Sequence, residues 1–119
     1  MTTAREAFVA KKLRQRYGVV GSVAGLYVRA GYSVRVGVQT KAGVADVFAV
    51  KEGVKLAIKV LTESKPYGRD VVELAKKIAG ELGAKPVIVL YGAGPRLTEE
   101  AVKAAEEAGV SVRRVRPGH

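Results

Sequence analysis

The second half of the chain alternates short apolar segments with amphipathic helical patterns. Residues 86–91 form a continuous apolar run, which is typical of a buried strand. A helical stripe over residues 71–82 precedes this run. A second helix at residues 98–109 follows it, ahead of a last strand at residues 110–115. Strands joined by helices of this length pair in parallel through right-handed crossovers, so this half predicts an α/β fold.

The N-terminal part of the chain predicts two helices that pack closely. Thr3 to Glu6 has the spacing of a capping box. Gly18 ends the first helix, and residues 21–30 predict the second. Because Gly21 and Gly25 share one face of the second helix, another backbone can approach it closely. The apolar residues of the first helix recur at helical spacing and form one stripe, made of Phe8, Val9, Leu13 and Tyr17.

Three strands are predicted between these helices and the helical stripe at residues 71–82. Apolar residues alternate over residues 34–38, and a turn at residues 40–43 leads into residues 44–50, which together predict a hairpin. A third strand follows at residues 55–61. We therefore expect one α/β domain over residues 1–119.

Composition excludes several chemistries. The chain has 119 residues, 48% of them hydrophobic, and no cysteine, and its one histidine is the final residue, His119. This excludes a disulfide scaffold, thiolate metal sites, a multi-histidine zinc site and a Ser-His-Asp triad. The absence of Asn, with many Lys, Arg and Glu, predicts a thermophilic source. No early uncharged stretch reaches the roughly 20 residues of a membrane span, so we expect a cytoplasmic protein without a membrane partner.

The charge of the chain is strongly positive and unevenly distributed. Lys and Arg number 21 against 11 Asp and Glu, for a net charge of +10. Glu6 is the single acidic residue before Asp46. Clustered Lys and Arg side chains suit phosphate contacts with DNA or structured RNA. The low aromatic content argues against a surface on which single-stranded bases stack. The predicted nucleic-acid-binding residues are Lys11, Lys12, Arg14, Arg16, Arg29, Arg35, Lys41, Arg113, Arg114 and Arg116.

The most specific pattern lies in the hairpin and the third strand. Asp46 enters one strand, residues 44–50, beside the polar face of another, residues 55–61. Metal-dependent nucleases place their carboxylates in this way. The sequence resembles the PD-(D/E)XK nuclease superfamily, which has the restriction-endonuclease-like fold, in its archaeal RecB-type and Holliday junction resolvase-like branches. The order of elements from Gly21 to Val115 carries much of this resemblance.

The resemblance implies a three-layer α/β fold with a central mixed sheet of about five strands flanked by helices. Residues 1–17 then form a basic N-terminal helix, and residues 21–116 form the nuclease-like core.

Site residues follow from the resemblance position by position. The superfamily's metal-binding aspartate corresponds to Asp46. Its next two catalytic positions are a carboxylate and a lysine two residues apart. They fall on Lys59 and Leu61 in one register, and on Ala57 and Lys59 in another. Both registers lose the second carboxylate, and in the first the Lys59 ammonium takes the place of the metal and pairs with Asp46.

These correspondences imply a nucleic-acid-binding protein whose catalysis is lost or impaired, with Asp46 and Lys59 as vestigial catalytic residues. No cofactor is expected. Mg²⁺, with Asp46 as its ligand, is expected only if the site is active. One alternative is an active metal-dependent endonuclease with a rearranged site. Glu6 matches a helix-one glutamate of some branches but is better explained by the capping box.

A second alternative comes from another resemblance. Leu26 to Gly37 resembles the entry helix and first strand of the C-terminal domain of archaeal tRNA-splicing endonucleases, and Val115 to Pro117 resembles its ending. This implies a structural subunit with a larger catalytic nuclease subunit as its partner, whereas the leading hypothesis allows a homodimer. The helix from Thr98 to Ala108 is extra to that domain, and the catalytic Tyr, His and Lys are not identifiable.

Overall fold

The computed structural model describes residues 3–117, so His119 lies outside the described residues. Its elements confirm the predicted α/β order, with boundaries within a few residues of the predicted ones. They are α1 (Ala4–Arg29), β1 (Ser33–Gln39), β2 (Val44–Lys51), β3 (Val54–Leu61), β4 (Pro66–Tyr67), α2 (Arg69–Leu82), β5 (Lys85–Tyr91), β6 (Arg96–Leu97), α3 (Glu99–Ala108) and β7 (Ser111–Val115).

Five strands form one mixed sheet in the order β1-β2-β3-β5-β7. β1, β2 and β3 pair antiparallel, and β3, β5 and β7 pair in parallel. This confirms the predicted hairpin and the parallel second half. The two-residue strands β4 and β6 form a separate parallel pair that the sequence pattern did not predict.

The long element α1 consists of two helical arms joined at Gly18, whose φ of 60° and ψ of −127° are not helical. The N-terminal arm (residues 4–17) folds back on the C-terminal arm (residues 19–29). A Cβ atom at Gly21 would lie 1.9 Å from the Leu13 carbonyl oxygen, and one at Gly25 would lie 3.1 Å from the Ala10 Cβ. The predicted close approach at these two glycines is therefore confirmed.

The sheet is the middle of three layers, as predicted. On one face, Val23 and Tyr27 of the C-terminal arm pack in a cluster that includes Val47 and Ile58 of the sheet. On the other face, α2 and α3 cover β5, where Ile88 is fully buried. The N-terminal arm lies at the edge of this core, where Leu13 packs against it. Three of the four side chains in the predicted apolar stripe of the first helix are exposed. Phe8, Val9 and Tyr17 are 52%, 40% and 40% exposed.

A carboxylate on α2 fixes the turn between β1 and β2. Glu81 accepts hydrogen bonds from the backbone N–H groups of Lys41 and Ala42, each at 2.8 Å. These two hydrogen bonds connect the hairpin to α2 across a long sequence separation. They fix the start of β2, the strand that carries Asp46. Within residues 3–117, none of the helices is long and apolar enough to cross a membrane.

Candidate functional site

The pairing of β2 with β3 stops next to Asp46. The paired residues run from Lys51 and Val54 to Val47 and Ile58, and the register ends there. Beyond this point, Asp46 Oδ2 accepts a hydrogen bond from the Val60 backbone N–H at 2.7 Å. The carboxylate thus takes the place of a backbone acceptor where the two strands diverge.

The same residue marks a reversal of the side-chain alternation in β2. Ala45 packs with α2, whereas Val47 packs with the C-terminal arm of α1 on the opposite face of the sheet. Residues two apart in a regular strand share a face, so the strand is irregular at Asp46. On β1, Gly37 has a φ of 71° and is left out of the paired register. This local irregularity places the Asp46 carboxylate at the strand fork and outside both cores.

Lys59 is the side chain that meets Asp46. Its Nζ lies 3.5 Å from Asp46 Oδ2, and the two side chains are 24% and 19% exposed. Ala57 and Leu61, the other two positions considered from the sequence, are buried in apolar clusters beneath α2 and α3. The geometry therefore brings Asp46 and Lys59 together, a contact that both registers allow.

Comparison with solved structures identifies the fold. No protein-family model matches the sequence, and no curated protein matches it. A repair endonuclease from Pyrococcus abyssi is similar, with a TM-score of 0.61, 18% identity and coverage of 94% of this chain and 47% of that chain. EndoMS in complex with double-stranded DNA has a TM-score of 0.58 and 14% identity, covering 100% of this chain and 48% of that one.

The chain has the restriction-endonuclease-like fold. A protein of unknown function is also similar, with a TM-score of 0.67 and 19% identity over 78% of this chain and 54% of that chain. The chain spans about half the length of these three proteins. The fold inferred from the sequence resemblance is confirmed.

The residues at the strand fork do not fit the divalent metal ion that this fold's nuclease resemblance implies. Asp46 supplies one carboxylate, whose Oδ2 already faces the Val60 N–H and the Lys59 ammonium. Within the described chain, no group of three or more His, Cys, Asp and Glu side chains could hold a metal ion. Mg²⁺ requires several oxygen ligands in near-octahedral geometry. Glu6 instead completes the capping box, accepting a hydrogen bond from the Thr3 N–H at 2.9 Å.

The predicted nucleic-acid-binding residues separate into one cluster and several scattered positions. β1 and β7 are the opposite edges of the restriction-endonuclease-like sheet, about 19 Å apart at the usual strand spacing. Only the N-terminal arm gathers four of these cations on one short exposed element. The residues lie on that arm (Lys11, Lys12, Arg14 and Arg16), at the end of α1 (Arg29), in β1 (Arg35), in the next turn (Lys41), in β7 (Arg113 and Arg114) and after it (Arg116).

Two of the C-terminal arginines make contacts within the chain. The Arg113 guanidinium lies 5.7 Å from the centre of the Tyr27 ring, and Arg114 Nη1 donates a hydrogen bond to the Gly92 carbonyl oxygen at 2.5 Å. Each contact holds a guanidinium against the body of the protein.

Two further cations lie together at the carboxyl ends of the parallel strands, where the sequence analysis did not place a site. Lys65 and Arg96 are exposed, and the Lys65 carbonyl accepts a hydrogen bond from the Arg96 N–H at 3.2 Å. The Glu63 carboxylate hydrogen-bonds to the Lys65 ammonium and raises the pKa of Lys65. The β4–β6 pair creates this proximity, and a two-residue strand has no periodicity that could reveal it.

Proposed function

We propose that this protein binds nucleic acid through its basic N-terminal arm and has lost metal-dependent strand cleavage. The observation that carries the proposal is the ion pair of Lys59 with Asp46 at the strand fork of a restriction-endonuclease-like fold. Hydrolysis of a phosphodiester by this class of site needs a cation that stabilises the attacking and leaving oxygens. A lysine whose charge is already balanced by Asp46 does not replace a metal in that role.

Support for binding comes from the fold and from charge. One similar structure is a repair endonuclease, and another is a complex with double-stranded DNA. The net charge of the chain is +10, and the four cations of the N-terminal arm are exposed. Contacts of exposed Lys and Arg side chains with phosphates carry no sequence information. We therefore infer recognition of the nucleic-acid backbone and shape rather than of a sequence.

Equilibrium binding tests this function directly. Fluorescence anisotropy is measured with a labelled DNA duplex, a four-way DNA junction and an RNA hairpin, each titrated at several salt concentrations. The proposal predicts binding that weakens steeply with salt and that is nearly independent of base sequence. No binding to any of the three probes at low salt would contradict it.

The sequence resemblance to a structural subunit of archaeal tRNA-splicing endonucleases stays a prediction. It requires a larger catalytic partner that copurifies with this chain. Isolation of the chain from its native source without such a partner would contradict it. The archaeal and thermophilic origin also stays a prediction from composition and resemblance.

A further inference from the structure

The outward face of the N-terminal arm combines exposed apolar side chains with positive charge. Phe8 is 52% exposed and Val9 is 40% exposed, although both are large and apolar. The Lys12 ammonium lies 5.0 Å from the centre of the Phe8 ring, and Lys11 and Arg16 are exposed nearby. Contiguous exposed apolar side chains with a polar rim mark an interaction site. We refer to this face as the arm surface.

A second exposed apolar surface lies between α3 and the edge strand β7. Val102 of α3 and Val112 of β7 are 44% and 39% exposed, and they line one shallow groove with Leu97. Glu99, Glu100, Lys103 and Glu106 line an adjoining pocket that shares Leu97 and Val102 with this groove. We refer to the combined surface, lined by these seven residues, as the α3 groove.

The charges of the two surfaces are opposite and are not neutralised within the chain. α3 carries Glu99, Glu100, Glu106 and Glu107 against one lysine, and so holds four of the chain's 11 acidic residues. In residues 3–117, the ion pairs join Lys59 to Asp46, Lys65 to Glu63 and Arg69 to Glu73. The glutamates of α3 and the cations of the arm surface take no part in these pairs.

We propose that the arm surface of one copy of this protein docks into the α3 groove of a second copy. An amphipathic helix that lays its apolar side chains into an apolar groove is an established mode of recognition, and opposite charges at the rim fix the partner and the register. The arm packs on the α1 side of the sheet, and α3 packs on the other side. A copy's own arm therefore does not reach its own groove, and the contact is between molecules.

Paired charge reversals test the contact without disturbing the core, because every changed residue is exposed. The first variant carries Lys11→Glu and Lys12→Glu, which puts two carboxylates on the arm surface opposite the acidic groove. The second carries Glu100→Lys and Glu106→Lys, and so has a basic arm and a basic groove. A control carries Lys77→Glu and Lys85→Glu, which change charge by the same amount as the first variant but lie outside both surfaces.

Molar mass is measured by sedimentation velocity at low salt over a range of protein concentrations. We expect the wild type and the control to associate, each reversed variant to stay monomeric alone, and an equal mixture of the two reversed variants to associate again. The proposal is overturned if the wild type stays monomeric at every concentration. This holds even if the arm binds duplex DNA, so the two proposals can fail separately. Association of either reversed variant alone, or a mixture that stays monomeric, would overturn it as well.

Discussion

The Lys59 ammonium lies 3.5 Å from the Asp46 carboxylate where β2 and β3 diverge, and the next backbone N–H along β3, that of Val60, donates to the same oxygen at 2.7 Å. One carboxylate oxygen thus serves both the strand fork and the ion pair. The charged side chains at the strand fork therefore satisfy each other.

Removal of the Asp46 carboxylate is expected to destabilise the fold. Asp46→Ala leaves the Val60 N–H without its acceptor at a position of low exposure, which costs about 1–3 kcal/mol of unfolding free energy. Asp46→Asn keeps an oxygen acceptor but loses the charge, so its cost is expected to be smaller. Urea unfolding of the two variants beside the wild type measures both effects. Equal losses for Ala and Asn would show that the ion pair, and not the hydrogen bond, is the main contribution.

Exchange of Lys59 for a carboxylate is expected to create a divalent metal site. In Lys59→Glu the ammonium beside Asp46 is replaced by an oxygen ligand, so the variant is less stable without metal and is stabilised by Mg²⁺ or Mn²⁺. Binding to the folded state alone adds about 2.7 kcal/mol when the metal is present at a hundred times its Kd. Melting temperatures with and without metal measure this gain. Lys59→Gln is the control, and a similar gain in that variant would show that the metal binds elsewhere.

The close packing of the two arms of α1 is expected to depend on Gly21. A Cβ atom there would overlap the Leu13 carbonyl oxygen at 1.9 Å, so Gly21→Ala forces the arms apart and costs about 1–3 kcal/mol. Gly80 provides the matched control, because a Cβ atom there meets nothing within 4 Å. In that exposed helical position, Gly80→Ala is expected to stabilise by about 0.5–1 kcal/mol. Thermal unfolding compares the two, and a stable Gly21→Ala variant would contradict the observed arm packing.

The salt dependence of DNA binding is expected to report the arm cations. If Lys11 and Lys12 each contact a phosphate, the double change to Gln lowers the steepness of log K against log salt by about 1.8 for a B-form duplex. Lys77→Gln with Lys85→Gln removes the same charge from exposed positions outside the arm. Anisotropy titrations at four or more salt concentrations give the slopes. An equal change in both double variants would assign the binding to overall charge rather than to the arm.

Periodicity and helix signals in the sequence predicted most of the fold. The alternation near β1 and β2, the capping box at Thr3 and the glycines at the ends of α2 and α3 are local signals, and the elements follow them. The packing glycines Gly21 and Gly25 were also readable, because their spacing fixes a shared helical face. These features depend on residues that lie near each other in the chain.

The remaining features depend on contacts between distant residues. The Glu81 carboxylate reaches the turn at Lys41 and Ala42 because α2 packs beside that turn. No local sequence pattern predicts these hydrogen bonds. The strand fork at Asp46 depends on the register in which three strands pair. The sequence does not fix this register, because two registers that differ by two residues at Lys59 remain open. The exposure of the apolar side chains on the N-terminal arm could not be predicted for the same reason. An apolar stripe predicts a helix face but does not identify the residues that cover it.

Incubation of the protein with a labelled DNA duplex and Mg²⁺ or Mn²⁺, at a salt concentration where the duplex is bound, tests whether the protein binds DNA without cleaving it. Denaturing electrophoresis then shows whether the bound strands are intact. We expect a complex whose strands stay uncut over the full incubation. Metal-dependent cleavage that Asp46→Ala abolishes, in a variant shown to be folded, would contradict it.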